Sequence, residues 1–365
     1  GTFTSPYLLN YNEQIAINGL PISGEDFYSL LQSYQELLKK QADDTILQAI
    51  TEFEIITALA YDYFCQQEVD VVIMEVGLGG LLDSTNVCQP DLTAITTIGL
   101  DHTAILGTTL EDIAKQKAGI IKQGVPVVTG KISSEALVVI HTIAQQCQAL
   151  HIRYKKDYQV ESVQGLEEGE KFRFSNAFRR KEDYQTVLLG VHQVENAGLA
   201  IELCDQYCSL KGLPLLGENE VRQVLKRTYW PARLEKISKV PLILLDGAHN
   251  PHALKALLAS LESHFPDYQK TILFTCIQTK ALDEMLALLK MVPTSRVLLT
   301  TFEDSRSFST GEMQCLAKRE KLAYVEWLPY LEQYKKAKHG EKELLLITGS
   351  LYFLAEVRKY LMSDR

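Results

Sequence analysis

The chain has no CxxC pair, and its seven cysteines, Cys65, Cys88, Cys147, Cys204, Cys208, Cys276 and Cys315, are scattered along it. Only Cys204 and Cys208 lie close together, at the i,i+4 spacing of a helix. This argues against a disulfide framework or a zinc site and for a reducing, cytoplasmic setting. No run approaches the roughly 18 apolar residues of a membrane span, so no membrane partner is expected. Basic charge is also in deficit. The 37 Lys and Arg face 46 Asp and Glu, a formal net charge of −9, which argues against general nucleic-acid binding. A local cluster of Arg and Lys can still bind small anions inside such a chain. Internal repeats and low-complexity segments are missing too. The glycines of "EVGLGG" (Glu75–Gly80) are not followed by Lys-Ser/Thr, so this stretch is not a Walker-type phosphate loop.

What is present is a globular composition, 46% hydrophobic and 23% charged, over 365 residues. That length predicts two domains of roughly 150–200 residues. Helical patterns alternate with short apolar runs, which predicts α/β architecture with a mostly parallel sheet. Glu52–Gln66 reads as a helix, and Val69–Val76, Leu92–Ile98 and Pro126–Thr129 read as buried strands. Between His151 and Leu189 the pattern turns to alternating residues with aromatics, a small antiparallel excursion. A helix resumes from about Gln193 to about Cys208. Pro231 interrupts "RTYWPARLEKIS" (Arg227–Ser238), which places the domain boundary there: a first domain over 1–229, a linker over 230–236 and a second domain over 237–365. In the second domain strand–helix alternation restarts with "PLILLDGAHNPHALKALLASL", "TILFTCI", "RVLLTTF" and "ELLLITGSLYFLAEVRKYL", a smaller doubly wound α/β pattern.

Ligands of an open α/β sheet collect at the carboxyl ends of its strands. Glu75 sits at such an end, after "VVIM", where a carboxylate suits Mg²⁺ as well as a cap or an ion pair. Asp101 and His102 follow the next strand. Thr109 with Asp112 resembles a capping box, so a helix should begin near Leu110. Its apolar stripe is Leu110, Ile113, Ala114 and Ile121, and Lys117 falls inside it. Burial lowers a lysine toward its neutral amine, which can take up CO₂ as a carbamate; snorkelling or pairing is the ordinary alternative. In the second domain Asp246 and His249 end the strand "LILLD". Asn250 and Pro251 have the N-cap and N1 chemistry of a helix start. Ser350 opens the last helix, a setting that suits an anion or simple capping.

Eight of these segments, in order, resemble folylpolyglutamate synthases of the Mur ligase superfamily. They are "FTSPYLLNYNEQIAINGLPIS", "TEFEIITALAYDYF", "EVGLGGLLDSTNV", "TTIGLDHTAILGTTLEDIAKQKAGIIKQGVPVV", "GVHQVENAGLAIEL", "YWPARLE", "DGAHNP" and "TGSLYFLAEVR". The resemblance spans nearly the whole chain and implies a Mur-ligase-like central domain followed by a glutamate-ligase domain. It further implies an ATP-dependent ligase, working as a monomer, that adds L-glutamate to the γ-carboxyl of folate through an acyl phosphate. Ser5, Glu75 and His102 would then hold Mg²⁺, and Lys117 would be the carbamylated lysine of the superfamily. Asp83 would lie near the pterin end and Asn196 would face the nucleotide. Arg233 would reach the phosphates, Asp246 and His249 would contact nucleotide or glutamate, and Ser350 the incoming glutamate.

The chain departs from the family pattern in places. Leu81 stands where the pattern has Arg, Tyr7 where it has His, and "TKA" (Thr279–Ala281) keeps only Lys280 of "DKD". The family's "GTxGKGS" loop is expected about 40–50 residues ahead of Phe3, on a longer chain than the one that opens at Gly1. Dihydrofolate synthase, with dihydropteroate as acceptor, is the nearest alternative. A peptidoglycan ligase and a non-catalytic folate-binding homologue are the others.

Overall fold

The computed structural model describes residues 1–41, 47–166, 168–278, 281–293 and 295–363. Two compact units result: Gly1–Val127 with Ser133–His151, and Val128–Ile132 with Ile152–Arg365. The α/β alternation read from the sequence is present in both.

The first unit carries a four-stranded sheet in the order Leu20–Pro21, Ile15–Ile17, Thr2–Phe3, Ile73–Met74. Only the last pair is parallel. Phe3 and Ile15 from the sheet pack with Leu30 of the helix Gly24–Lys40 and with Ile56, Leu59, Ala60 and Phe64 of the helix Glu52–Gln66. The second helix has the predicted bounds, because Thr51 and Glu54 cap its start reciprocally. The expected strand Val69–Val76 shrinks to Ile73–Met74, and Val71, Val72 and Ile73 are exposed. The reason is its place at the sheet edge. Its parallel neighbour offers two residues, and among the described residues no strand lies on its other side. Composition marks such a run as β-prone but does not count its neighbours. The next two expected strands are likewise trimmed, to Thr93–Ile95 and Val127–Thr129.

The second unit opens with the antiparallel excursion, a meander of Gln159–Leu166, Gly169–Ser175 and Glu182–Thr186 with the middle strand central. The helix Val191–Lys211 packs on it. A six-stranded sheet follows, ordered Glu235–Lys239, Leu242–Asp246, Glu343–Thr348, Gln269–Phe274, Ser295–Leu299, Ala323–Tyr324. Every pair is parallel except the first. Alternate residues Leu242, Leu244, Ile272, Phe274, Val297, Leu299, Leu344 and Leu346 join the core formed with the helices Pro251–His264, Leu282–Lys290 and Thr310–Glu320. The helix Leu351–Ser363 packs on the strands Leu242–Asp246 and Glu343–Thr348. These strands are apolar at successive positions because both faces are covered.

The predicted boundary near Pro231 falls inside this unit. A buried pair joins the meander to the helix Pro251–His264 across it: His264 Nε2 lies 2.6 Å from Glu170 Oε1, with both side chains under 5% exposed. The same oxygen accepts the Gly190 N–H at 2.7 Å, at the start of the helix Val191–Lys211.

Candidate active site

In the first unit, parallel pairing of Thr2–Phe3 with Ile73–Met74 brings the carboxyl ends of both strands together. The chain continues from one into Ser5 and from the other into Glu75. Glu75 N donates to Phe3 O at 2.9 Å, and Ser5 N donates to Glu75 Oε2 at 2.9 Å. The Ser5 backbone and the Glu75 carboxylate thus meet at the sheet edge, and the carboxylate is a hard oxygen donor of the kind Mg²⁺ prefers. Among the described residues no group of three or more His, Cys, Asp or Glu is placed to hold a metal. One such carboxylate fits an ion that takes few protein ligands and keeps water or substrate oxygens for the rest. His102 sits at a left-handed backbone position, φ 48°, at the head of the short helix Thr103–Leu106. Its N–H is held by Asp101 Oδ1 at 2.9 Å, and its Nε2 lies 3.9 Å from Asp101 Oδ2.

Lys117 lies on the helix Leu110–Ala118, which starts where the Thr109–Asp112 pair predicts. Ile113 and Ala114 are buried and Lys117 is half-buried. Burial lowers its pKa and the charge of Asp101 partly opposes this, so the amine is pushed toward its neutral form. The glycine stretch rests on the end of this helix. Leu81 N donates to Gln116 O at 2.8 Å. A Cβ on Gly80, at φ +154°, would lie 2.9 Å from Gln116 O and 3.0 Å from Lys117 O. Asp83 serves the same loop: Oδ2 accepts Leu78 N at 2.7 Å, and Oδ1 accepts Thr85 N and Thr85 Oγ1 at 3.0 and 2.6 Å. Leu81 itself is 49% exposed, and Tyr7 stacks on Tyr11 with centroids 4.4 Å apart.

In the second unit, "WPARLE" forms a tight turn. Ala232 and Leu234 are buried and left-handed, φ +57° and +45°, while Arg233 between them is exposed. Side chains with a Cβ adopt that region only when their surroundings hold them there. Two buried carboxylates do so: Ala232 N donates to Glu235 Oε2 and Leu234 N to Asp246 Oδ2, both at 2.9 Å. The other Asp246 oxygen accepts Ala248 N at 2.9 Å, and Gly247 N donates to Ala232 O at 2.8 Å. A Cβ on Gly247 would meet Arg233 Nη1 at 2.8 Å, so the guanidinium lies against bare backbone. Burial pushes the Asp246 carboxyl up, and its two amide donors and Arg233 pull it back only in part. His249 Nδ1 lies 2.8 Å from Gly247 O, and since a carbonyl only accepts, Nδ1 carries the proton. Asn250 caps the helix Pro251–His264 through Ala253 N at 2.8 Å, as its sequence predicts. Ser350 is buried, and its carbonyl accepts Leu354 N at 3.0 Å at the head of the last helix.

Asn196 is exposed on the first turns of the helix Val191–Lys211 and donates to Gln193 Oε1 at 3.3 Å. Near it is His192, whose pKa burial and Arg233 lower. Lys280 lies outside the described residues. Sequence reasoning singled out neither His192, nor Glu235 with its partners Tyr229 and Arg358, nor the Glu170–His264 pair. Glu235 and Arg358 stand inside matched motifs, "YWPARLE" and "AEVR", but nothing in either motif reveals that they meet across 123 residues.

The Mur ligase middle domain model matches residues 32–204, and the Mur ligase glutamate ligase domain model matches residues 232–351. A Bacillus subtilis protein named dihydrofolate synthase/folylpolyglutamate synthase is 36% identical over 99% of this chain and 84% of its own length. The folylpolyglutamate synthase of Lacticaseibacillus casei is 39% identical over 73% of this chain and 62% of its own length. Among solved structures, the apo form of the L. casei enzyme superposes with a TM-score of 0.84 at 33% identity, covering 99% of this chain and 83% of that one. A folylpolyglutamate synthase complex with AMPPCP and folate superposes with a TM-score of 0.81 at 33% identity, covering 99% of this chain and 83% of that one.

Proposed function

Because this chain belongs to the folylpolyglutamate synthase/dihydrofolate synthase family of Mur ligases, we propose that it is an ATP-dependent ligase joining L-glutamate to the γ-carboxyl of a folate. The observation that carries the reading is the likeness to the B. subtilis enzyme over 99% of the chain. A carboxylate is a poor acyl donor until a phosphate leaving group is attached. In the first step a γ-carboxylate oxygen of folate attacks the γ-phosphorus of ATP and ADP leaves. In the second the glutamate amine attacks the acyl carbon, inorganic phosphate leaves, and the nitrogen gives up a proton. Positioning and charge neutralisation do most of the work in such a transfer.

The residues divide that work. Arg233, projected from its pinned turn, contacts phosphate, and Asn196 faces the nucleotide. Asp246 acts through the backbone it holds, while His249 and Ser350 meet glutamate. Asp83 shapes the loop at the pterin end. Mg²⁺, held by Ser5, Glu75 and His102, would supply neutralisation of phosphate charge. Lys117, leaning to its neutral amine, takes up CO₂ as a carbamate and releases a proton. Bicarbonate-dependent activity that Lys117→Arg abolishes is the expected mark of that carbamate. The same reading has a monomer acting in the cytoplasm, and no described helix is long and apolar enough to cross a membrane.

The test is glutamate-dependent release of ADP by the full-length protein with tetrahydrofolate, dihydropteroate or a UDP-muramoyl peptide as acceptor. Turnover with the muramoyl peptide alone would overturn the folate reading. Dihydropteroate is the second acceptor to expect, since the B. subtilis relative carries both names and a 32% identical Saccharomyces cerevisiae relative is named dihydrofolate synthetase.

A further inference from the structure

Arg233 owes its position to a turn that two buried acids hold in left-handed backbone. Asp246, one of them, belongs to the strand-end motif. Glu235, the other, has its own support. Arg358, on the helix Leu351–Ser363, donates through Nε to both Glu235 oxygens at 3.0 and 3.1 Å, and through Nη2 to Tyr229 Oη at 2.8 Å. Tyr229 in turn hydrogen-bonds Glu235 Oε1. The Glu235 side chain is 4% exposed and that of Arg358 14%, so this ion pair is largely shielded from water. Glu235 Oε2, oriented by Arg358, is the acceptor for Ala232 N, the residue before Arg233.

We propose that Arg358, through Glu235 and Tyr229, is a positioning residue for Arg233: it fixes the Ala232–Leu234 turn that aims the guanidinium at phosphate. With Nε on both carboxylate oxygens and Nη2 on the tyrosine, the planar guanidinium sets direction as well as charge, and it adds to the hold that Asp246 has on the other side of the turn. Without Arg358, Glu235 is a buried, uncompensated charge that turns away from Ala232 N, and the turn relaxes toward ordinary backbone. Arg358 touches no reacting atom in this scheme. The proposal rests on the reading of Arg233 as a phosphate contact.

A double-mutant cycle in the full-length ligase tests it, with kcat, KM for ATP and glutamate, and thermal unfolding as readouts. Arg358→Met is expected to lower kcat by about 10- to 100-fold, the cost of a small misplacement of a catalytic group, with KM for glutamate unchanged. Arg358→Lys, which keeps the charge but not the fork, should fall between. In an Arg233→Lys background, Arg358→Met should cost less than about twofold more, because the group it positions is already altered. Equal losses in both backgrounds would overturn the positioning role and leave Arg358 a general stabiliser. Unchanged kcat in Arg233→Lys alone would overturn the phosphate reading of Arg233, and the proposal with it. Should Arg358→Met lack a cooperative unfolding transition, Tyr229→Phe replaces it in the same cycle with the same two outcomes.

Discussion

Replacing Asp246 by Asn keeps the shape of the side chain and changes only what its second atom can do. In the protein each carboxylate oxygen accepts one backbone N–H at 2.9 Å, from Leu234 on one side and Ala248 on the other, and the residue is 8% exposed. An amide has one acceptor, so whichever way it turns, one buried N–H faces an NH₂ group. A lost hydrogen bond to a charged acceptor costs about 1.5–3 kcal/mol, and an orphaned buried donor about 1–3 kcal/mol. Removing a buried charge that Arg233 only partly offsets returns some of this. A net loss of about 2 kcal/mol follows, which lowers the unfolding temperature by roughly 4–8 °C for a unit of this size. If the freed donor is Leu234 N, the left-handed turn loosens and kcat falls as well. Calorimetry and steady-state kinetics on the purified variant read both. An Asn variant with unchanged melting temperature and unchanged kcat would refute the idea that this carboxylate is held by two amides and holds the arginine turn.

Other outcomes are equally specific. Glu170→Ala leaves His264 buried without its partner and Gly190 N without its acceptor; a loss of about 3–5 kcal/mol is expected in denaturant unfolding. Gly80→Ala brings a Cβ within 3.0 Å of Gln116 O, Ile120 Cγ2 and Lys117 O at φ +154°, so it should displace the end of the Lys117 helix and lower kcat more than it lowers stability. Comparing the two losses checks this. The pKa of His192 is lowered in the folded state, so the unfolded chain binds the extra proton first. Stability should therefore decline as pH falls below the ordinary imidazole value of about 6.5, and His192→Gln should flatten that acid limb of a melting-temperature profile.

How much of this the sequence disclosed depends on how local each feature is. The helices Glu52–Gln66 and Leu110–Ala118 were legible because caps and apolar spacing lie within a few residues of each other. Asn250 as a cap was legible for the same reason. The strand before Glu75 was overextended, since its length is set by a partner some 70 residues away at Thr2–Phe3. Motif order pointed to Arg233, Asp246 and Lys117. It could not show that Asp246 spends both oxygens on backbone, nor that Glu235 is held by an arginine on the last helix. Those are contacts between segments, and periodicity carries no trace of them.

Leu81 remains as the residue in the glycine stretch where the family pattern has arginine, and the loop geometry indicates what restoring the arginine would do. The backbone at this position has a fixed task, donating Leu81 N to Gln116 O, and that task is independent of the side chain. The tightest approach is also backbone-proximal. A Cβ added to Gly119 would meet Leu81 Cβ at 2.4 Å and Leu81 Cα at 2.5 Å, atoms that arginine shares. Beyond them the side chain is 49% exposed, so its tip has access to water. Leu81→Arg should thus change stability by no more than about 0.5 kcal/mol, as substitutions at exposed positions do. A cation beside the end of the Lys117 helix would add attraction for anionic substrates, so KM for ATP or folate should fall at low salt and converge with the parent at high salt. A loss of more than about 1 kcal/mol would show that the distal carbons of Leu81 pack against Gly119 as a true core contact. In that case leucine here is a structural replacement, and the loop is rebuilt around it rather than merely missing a charge.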